Sequence, residues 1–193
     1  MVHDVHGEDI PEILREDMIL EETIYDGRVI EIKQRLIRQH DARFQLREVV
    51  KHNGGVGILA ITPDDEVFMV RQYRTAANAA LLEIPAGKLE VGEDPAECAG
   101  RELEEECAIK AKSLHLLGTF YPTPGYSSEM IHLYWTNDYV QGEQNLDDGE
   151  KLELYRIPIQ EVIDMIHEGQ IQDGKTQVAI LKYVQMHSRI NHE

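Results

Sequence analysis

The sequence is expected to fold as a mixed protein, α/β or α+β by class, and three observations carry that expectation. Ahead of residue 87 it runs as β-branched or alternating stretches broken by turn signals; a capped helix starts at Pro95; two more helical stretches close the chain. At 193 residues it suits one domain with a substantial core and a short additional N-terminal element.

Leu20 to Tyr25, Val29 to Ile37, Arg43 to Lys51, Gly55 to Thr62 and Glu66 to Tyr73 read as strands. Asp26-Gly27, Asn53-Gly54-Gly55 and Pro63-Asp64-Asp65 break them, as in a series of antiparallel hairpins. Gly92, Glu93, Asp94 and Pro95 then form a turn into a helix, with Asp94 as N-cap, Pro95 at the first helical position and Glu97 at the third, close to a capping box. Beyond this helix, Ser113 to Tyr121, Met130 to Trp135 and Glu150 to Ile157 are expected strands. Ile159 to Glu168 and Thr176 to Arg189 are expected helices.

The helix from Pro95 carries the chemistry. At about 100° per residue, with Glu102 as zero, Glu106 lies near about +40°, Cys98 near about −40° and Glu105 near about −60°, so three carboxylates share one arc. Glu97 and Glu104 point away and read as solvated surface. Ala99, Leu103, Ala96, Cys107 and Gly100 form an apolar stripe whose small residues allow close approach to a sheet. Like charges three and four residues apart destabilise a helix by roughly a few tenths of a kcal/mol per pair, a cost that makes sense if a divalent cation neutralises them. Oxygen ligands without His or Cys suit Mg²⁺ or Mn²⁺, with substrate phosphates and waters completing the shell. Arg101, four residues before Glu105, can orient it by an ion pair.

The formal charge of −17 argues against a nucleic-acid binder, because such affinity comes largely from Lys and Arg neutralising phosphates. A polyanionic substrate approaching this chain needs cations and local arginines. No apolar run approaches membrane length, and MVHDVHGEDIPEI lacks the basic and apolar regions of a signal peptide, so no membrane partner and a cytoplasmic location are expected. Cys98 and Cys107, nine residues apart on the helix, are separated by about 13 Å, too far for a disulfide, and should be reduced packing thiols. The nine histidines lack the paired spacing of a zinc site.

Gly87 to Ile109, GKLEVGEDPAECAGRELEEECAI, resembles the Nudix box, G-x5-E-x7-R-E-U-x-E-E-x-G-U with U aliphatic. Gly87, Glu93, Arg101, Glu102, Leu103, Glu105, Glu106 and Ile109 fall in register. Ala108 departs, standing where the family has a glycine that ends the helix. A left-handed conformation is common there, and alanine pays about 1 kcal/mol for it. The resemblance implies an α/β/α sandwich with a mixed sheet plus N-terminal antiparallel strands. Residues 1–50 would be a dimer-forming strand region and 51–193 the hydrolase domain.

REVVKHNGGVGILAITPDDEVFMVRQYR, LLEIPAGKLE and FYPTPGYSSEMIHLYW are similar to the ADP-ribose pyrophosphatase subgroup, and Pro124 stands sixteen positions beyond Ala108, the subgroup spacing. A Pro-Thr-Pro-Gly turn accounts for Pro124 equally well. Carried over, the resemblance implies metal binding by the Ala86 carbonyl and the side chains of Glu102, Glu105 and Glu106, with Glu105 and Glu106 also catalytic. An acid from the LDDGEKLEL loop would serve as base or extra ligand: Glu150 first, then Asp148, with Asp147 and Glu153 also on offer.

Arg74 and Arg47 resemble arginines that bind phosphate or ribose, though each also fits a surface strand position. Glu83 and Ser128 are further candidates, and Tyr25 is the candidate adenine-stacking surface. The implied activity is Mg²⁺-dependent cleavage of ADP-ribose to AMP and ribose 5-phosphate, by a homodimer with swapped N-terminal strands. Another nucleoside diphosphate sugar or dinucleotide as substrate, or a non-catalytic ADP-ribose sensor, are the alternatives.

Overall fold

The computed structural model describes residues 14–146, 149 and 151–190. Asp147, Asp148 and Glu150 of the loop carrying the expected base lie outside the described residues. The chain divides into two compact units, one running to His52 and including Thr123–Glu129, the other made of Asn53–Pro122 and the chain from Met130 onward.

In the N-terminal unit, β1 (Glu16–Asp26), β2 (Glu31–Gln39) and β3 (Phe44–Lys51) form an antiparallel meander in the order β1-β2-β3. Asp26-Gly27 makes the first turn, closed by a 3.0 Å bond from the Gly27 amide to the Ile30 carbonyl. Ala42, in left-handed conformation at φ 61°, makes the second. Thr123–Glu129 joins this unit through bonds of Val50 N–H to the Tyr126 carbonyl (2.8 Å) and Ser128 N–H to the Val50 carbonyl (2.9 Å).

The larger unit runs β4 (Gly55–Ala60), β5 (Glu66–Arg74), β6 (Ala79–Glu83), β7 (Ala86–Lys88), α1 (Pro95–Cys107), β8 (Ile109–Ala111), β9 (His115–Phe120), β10 (Ile131–Thr136), β11 (Tyr139–Gln141), β12 (Leu152–Pro158), α2 (Ile159–His167) and α3 (Gly174–Ile190). One sheet has the order β7-β4-β10-β9 and is mixed, because β10 lies parallel to β4 while the other pairs are antiparallel. A second, β12-β5-β6, is antiparallel, and β8 pairs with β11.

Strand alternation puts helices on both sides. Successive side chains point to opposite faces: Val56, Ile58 and Ala60 of β4, with Phe68 and Val70 of β5, cluster with Cys98, Ala99, Leu103 and Cys107 of α1. The intervening Leu59, Ile61, Val67 and Met69 cluster with Val162 of α2 and Ala179 and Ile180 of α3. The expected α/β/α sandwich with a mixed sheet is therefore present.

Two expectations need correction. β4 and β5 do not form a hairpin; apart from a single bridge between Ile61 and Val67 they belong to different sheets. β4 throughout and β5 over Val67–Val70 are apolar runs with both faces buried, and such a run shows a strand without showing its partner. The strand expected from Ser113 starts at His115 and is preceded by the separate β8. β6, β7, β8 and β11 were not anticipated, being three to five residues long, too short for alternation to register. No helix among the described residues is long and apolar enough to cross a membrane.

α1 starts as its sequence requires. The Asp94 carboxylate accepts from the amides of Ala96 (2.8 Å) and Glu97 (3.3 Å), and Pro95 needs no partner for an N–H it lacks. It ends at Ala108, which holds the left-handed conformation (φ 55°, ψ 33°) and donates to the Glu104 carbonyl at 3.0 Å. The turn geometry is kept despite the missing glycine, with a Cβ in a conformation that disfavours one. Ala108→Gly should therefore stabilise the protein by about 0.5–1 kcal/mol, seen as a higher urea midpoint with unchanged slope.

Candidate active site

β6 and β7 belong to different sheets, and the chain crosses between them at Ile84-Pro85. This crossing places Ala86 and Gly87 against the acidic arc of α1. The Ala86 amide donates to Glu106 Oε2 at 2.9 Å, and Glu106 is 1% exposed. Glu102 lies over Gly87, where a Cβ would fall 1.9 Å from the carboxyl carbon. The glycine that opens the box thus makes room for a glutamate fifteen residues later. Cys98, on the same arc, is fully buried and donates to the Lys88 carbonyl; burial pushes its thiol up to about 12. Burial also raises the Cys107 thiol, and both cysteines are free.

Arg101 organises the remaining carboxylates. One of its terminal nitrogens lies 2.9 Å from both Glu102 and Glu105, and its Nε lies 3.1 Å from Glu93. Burial opposes the guanidinium charge, but its bonds to Glu93 and Glu102 prevail and hold its proton more firmly than usual. Glu93 also accepts from the Glu90 amide, so one carboxylate ties the 90–93 turn to Arg101. Burial raises the Glu93 pKa, while the Glu90 amide and Arg101 lower it further, leaving it below the usual value. Glu104, off the arc as the wheel predicts, lies 3.5 Å from Lys110.

The expected donors at Ala86, Glu102, Glu105 and Glu106 would offer oxygen alone, the chemistry that suits a hard divalent cation. Among the described residues no three His, Cys, Asp or Glu side chains stand around a common point. Arg101 neutralises Glu102 and Glu105 in this structure, so holding an ion there requires its contacts to shift, whereas Glu106 and the Ala86 backbone are already joined.

Arg74 and Glu83 form a second cluster three residues before Ala86. Two guanidinium nitrogens lie 2.7 Å from the two Glu83 oxygens, and Lys175 pairs with the same carboxylate. Burial alone would raise the Glu83 pKa, but Arg74 and Lys175 outweigh it and hold it below its usual value. Glu83 is 1% exposed and acts on Arg74, whose side chain is 39% exposed. Glu83 raises the Arg74 pKa against the effect of burial, with smaller contributions from Asp173 and Glu106.

The other candidates belong to the N-terminal unit. Arg47 pairs with Glu16 at 3.0 Å, and Tyr25 is exposed at the end of β1. Pro124 sits in a turn whose Thr123 carbonyl accepts from the amides of Tyr126 and Ser127. Ser128 Oγ accepts from the His52 amide at 3.1 Å.

Sequence reasoning missed two sets of residues. Lys175 and Thr176 meet Glu83 and Ile84 from 92 residues away, which no local pattern signals. Gln144 and Asn145 dock on the last turn of α1, Gln144 Nε2 donating to the Glu106 carbonyl (2.8 Å) and the Asn145 amide to that of Glu105 (3.2 Å). These bonds satisfy carbonyls that a helix end leaves without partners.

Residues 51–176 match the NUDIX domain. The chain belongs to the Nudix family. It is 36% identical over 183 residues to the methanol dehydrogenase activator of Bacillus methanolicus, covering 94% of this chain and 98% of the relative. To the ADP-ribose pyrophosphatase of Bacillus subtilis (strain 168) it is 34% identical over 175 residues, covering 90% and 94%. A solved structure described as an ADP compounds hydrolase superposes with a TM-score of 0.79 over 90% of this chain and 95% of that one, and at 19% identity shows the shared fold. The expectation of a Nudix pyrophosphohydrolase holds. Nudix hydrolases generally use divalent metal ions.

The Gly87 geometry yields a test on this Nudix chain. Gly87→Ala should displace the Glu102 carboxylate and lower the rate of pyrophosphate hydrolysis by on the order of 100-fold. The thermal midpoint should stay within a few degrees of wild type, because the obstructed group is a side-chain tip rather than backbone.

Proposed function

We propose that this Nudix chain hydrolyses the pyrophosphate bond of ADP-ribose, releasing AMP and ribose 5-phosphate. The observation that carries this reading is the join between the Ala86 amide and the buried Glu106 carboxylate, beside Glu102 and Glu105. The full-length similarity to an ADP-ribose pyrophosphatase supports the choice of substrate.

Glu102, Glu105, Glu106 and the Ala86 carbonyl would hold a divalent cation, Mg²⁺ by preference over Mn²⁺, which would supply charge against that of the diphosphate and acidify water. Arg101 keeps Glu102 and Glu105 turned toward one another. Arg74, steadied by Glu83, offers its guanidinium to phosphate or ribose oxygens. A loop acid, Glu150 or else Asp148, removes the proton from the attacking water. Positioning and electrostatics provide most of the catalysis. Arg47, Tyr25, Pro124 and Ser128 are the remaining substrate-binding proposals.

AMP release from ADP-ribose with Mg²⁺ tests the reading, and its absence would overturn it. Glu106→Gln should keep the Ala86 bond and the fold while losing on the order of 100-fold or more in activity. Glu104→Gln should stay near wild type. A second substrate is favoured by the relative named for activating a dehydrogenase. Many dehydrogenases use nicotinamide dinucleotides, whose pyrophosphate linkage is the same chemical target, so NADH belongs in the assay beside GDP-mannose and UDP-glucose.

We further infer a homodimer formed through residues 1–50, with the hydrolase domain from residue 51 on, in the cytoplasm. In the N-terminal unit, Leu20, Leu36 and Leu46 align as one apolar row across three strands, and Leu20 and Leu46 are each 61% exposed. Such a row invites cover by a second copy. Light scattering should give about twice the chain mass, and Leu20→Lys with Leu46→Lys should shift it to the monomer; a monomeric wild type would sink the inference.

A further inference from the structure

Among the described residues, the crossing from β6 to β7 is held at four consecutive positions. Glu83 is gripped by Arg74 and Lys175; the Ile84 amide donates to Thr176 Oγ1 at 2.9 Å; the Pro85 carbonyl accepts from the Ile58 amide at 2.9 Å; and the Ala86 amide reaches Glu106. Ile84 lies outside both strand ladders, so its buried N–H needs a partner from elsewhere. Two of the four holds come from the first turn of α3.

That turn is itself locked. The Thr176 hydroxyl donates to Asp173 Oδ2 at 2.6 Å while accepting from Ile84, which fixes its rotor. The same Asp173 oxygen accepts from the Thr176 amide at 2.9 Å, and Oδ1 accepts from Lys175 at 2.9 Å. Thr176 and Ile84 are fully buried, and Glu83 and Glu106 are 1% exposed, so water does not substitute freely for the bond between Ile84 and Thr176.

We propose that Thr176, seconded by Lys175, is a positioning residue for the active site: α3 sets the placement of Ala86, and through it that of Glu106, without touching substrate. The proposal rests on the metal-dependent reading above only for its catalytic consequence. Groups that orient metal ligands typically contribute about 10- to 100-fold in affinity or activity.

The test compares wild type with Thr176→Val, which keeps the shape and loses both hydroxyl bonds, and with Thr176→Ser, which restores them. Amide hydrogen exchange at Ala86, Mn²⁺ binding by calorimetry, and AMP release from ADP-ribose are measured on each full-length protein. Thr176→Val should exchange Ala86 about tenfold faster, bind Mn²⁺ about tenfold more weakly and lose about 10- to 100-fold in kcat, with KM little changed. Thr176→Ser should recover all three. Wild-type exchange at Ala86 or wild-type Mn²⁺ affinity in Thr176→Val would overturn the proposal. Should Thr176→Val fail to fold, Lys175→Met is compared by the same two readouts, and wild-type values there overturn it equally. A wild type that releases no AMP counts against the substrate reading alone, since exchange and Mn²⁺ binding still decide the role of Thr176.

Discussion

Several carboxylates must be held close together on one arc of a helix, where they repel, and the larger unit is arranged around that constraint. Each like-charged pair costs roughly a few tenths of a kcal/mol on an isolated helix. Arg101 answers for Glu93, Glu102 and Glu105 with a single guanidinium. Glu106 is handled differently, being buried with its carboxylate on the Ala86 backbone amide. Part of the arc faces β7, whose Gly87 leaves the space that Glu102 fills.

The core makes this placement stiff. α1 lies on one face of β4 through Cys98, Ala99, Leu103 and Cys107, and α3 lies on the other through Ala179 and Ile180. A shift of either helix is transmitted through close-packed side chains of a strand buried on both faces. The β6-β7 crossing runs between the two sheets and takes polar holds from both helices, Glu106 on one side and Thr176 with Lys175 on the other. Apolar packing thus sets the layers, while directional hydrogen bonds set the few ångströms that matter at the site.

Much of α1 is legible in the sequence. Asp94 as N-cap, Pro95 as first residue, the division of glutamates between arc and surface, and the burial of Cys107 on the apolar stripe follow from spacing alone, because helix geometry is local and periodic. Ala108 is instructive in the other direction. The substitution raised a question about the turn, and the left-handed conformation persists because the chain must turn into β8, whose partner β11 holds it. The hairpin reading failed at β4 and β5 because a strand buried on both faces carries no alternation to show which neighbour it pairs with.

The sequence by itself determined the acidic helix of this protein: where it starts, the arc on which Glu102, Glu105 and Glu106 lie, the pairing of Arg101 with Glu105, and the Nudix family to which these residues belong. Those features depend on residue type and short-range geometry, which periodicity reports. Only the tertiary structure decided that Glu106 meets Ala86, that Gly87 is small for the sake of Glu102, that Arg74 is steadied by Glu83, and that Lys175 and Thr176 reach the same segment from 92 residues away. These are meetings between distant stretches of chain, set by which sheet each strand joins, and a linear pattern contains no term for that choice.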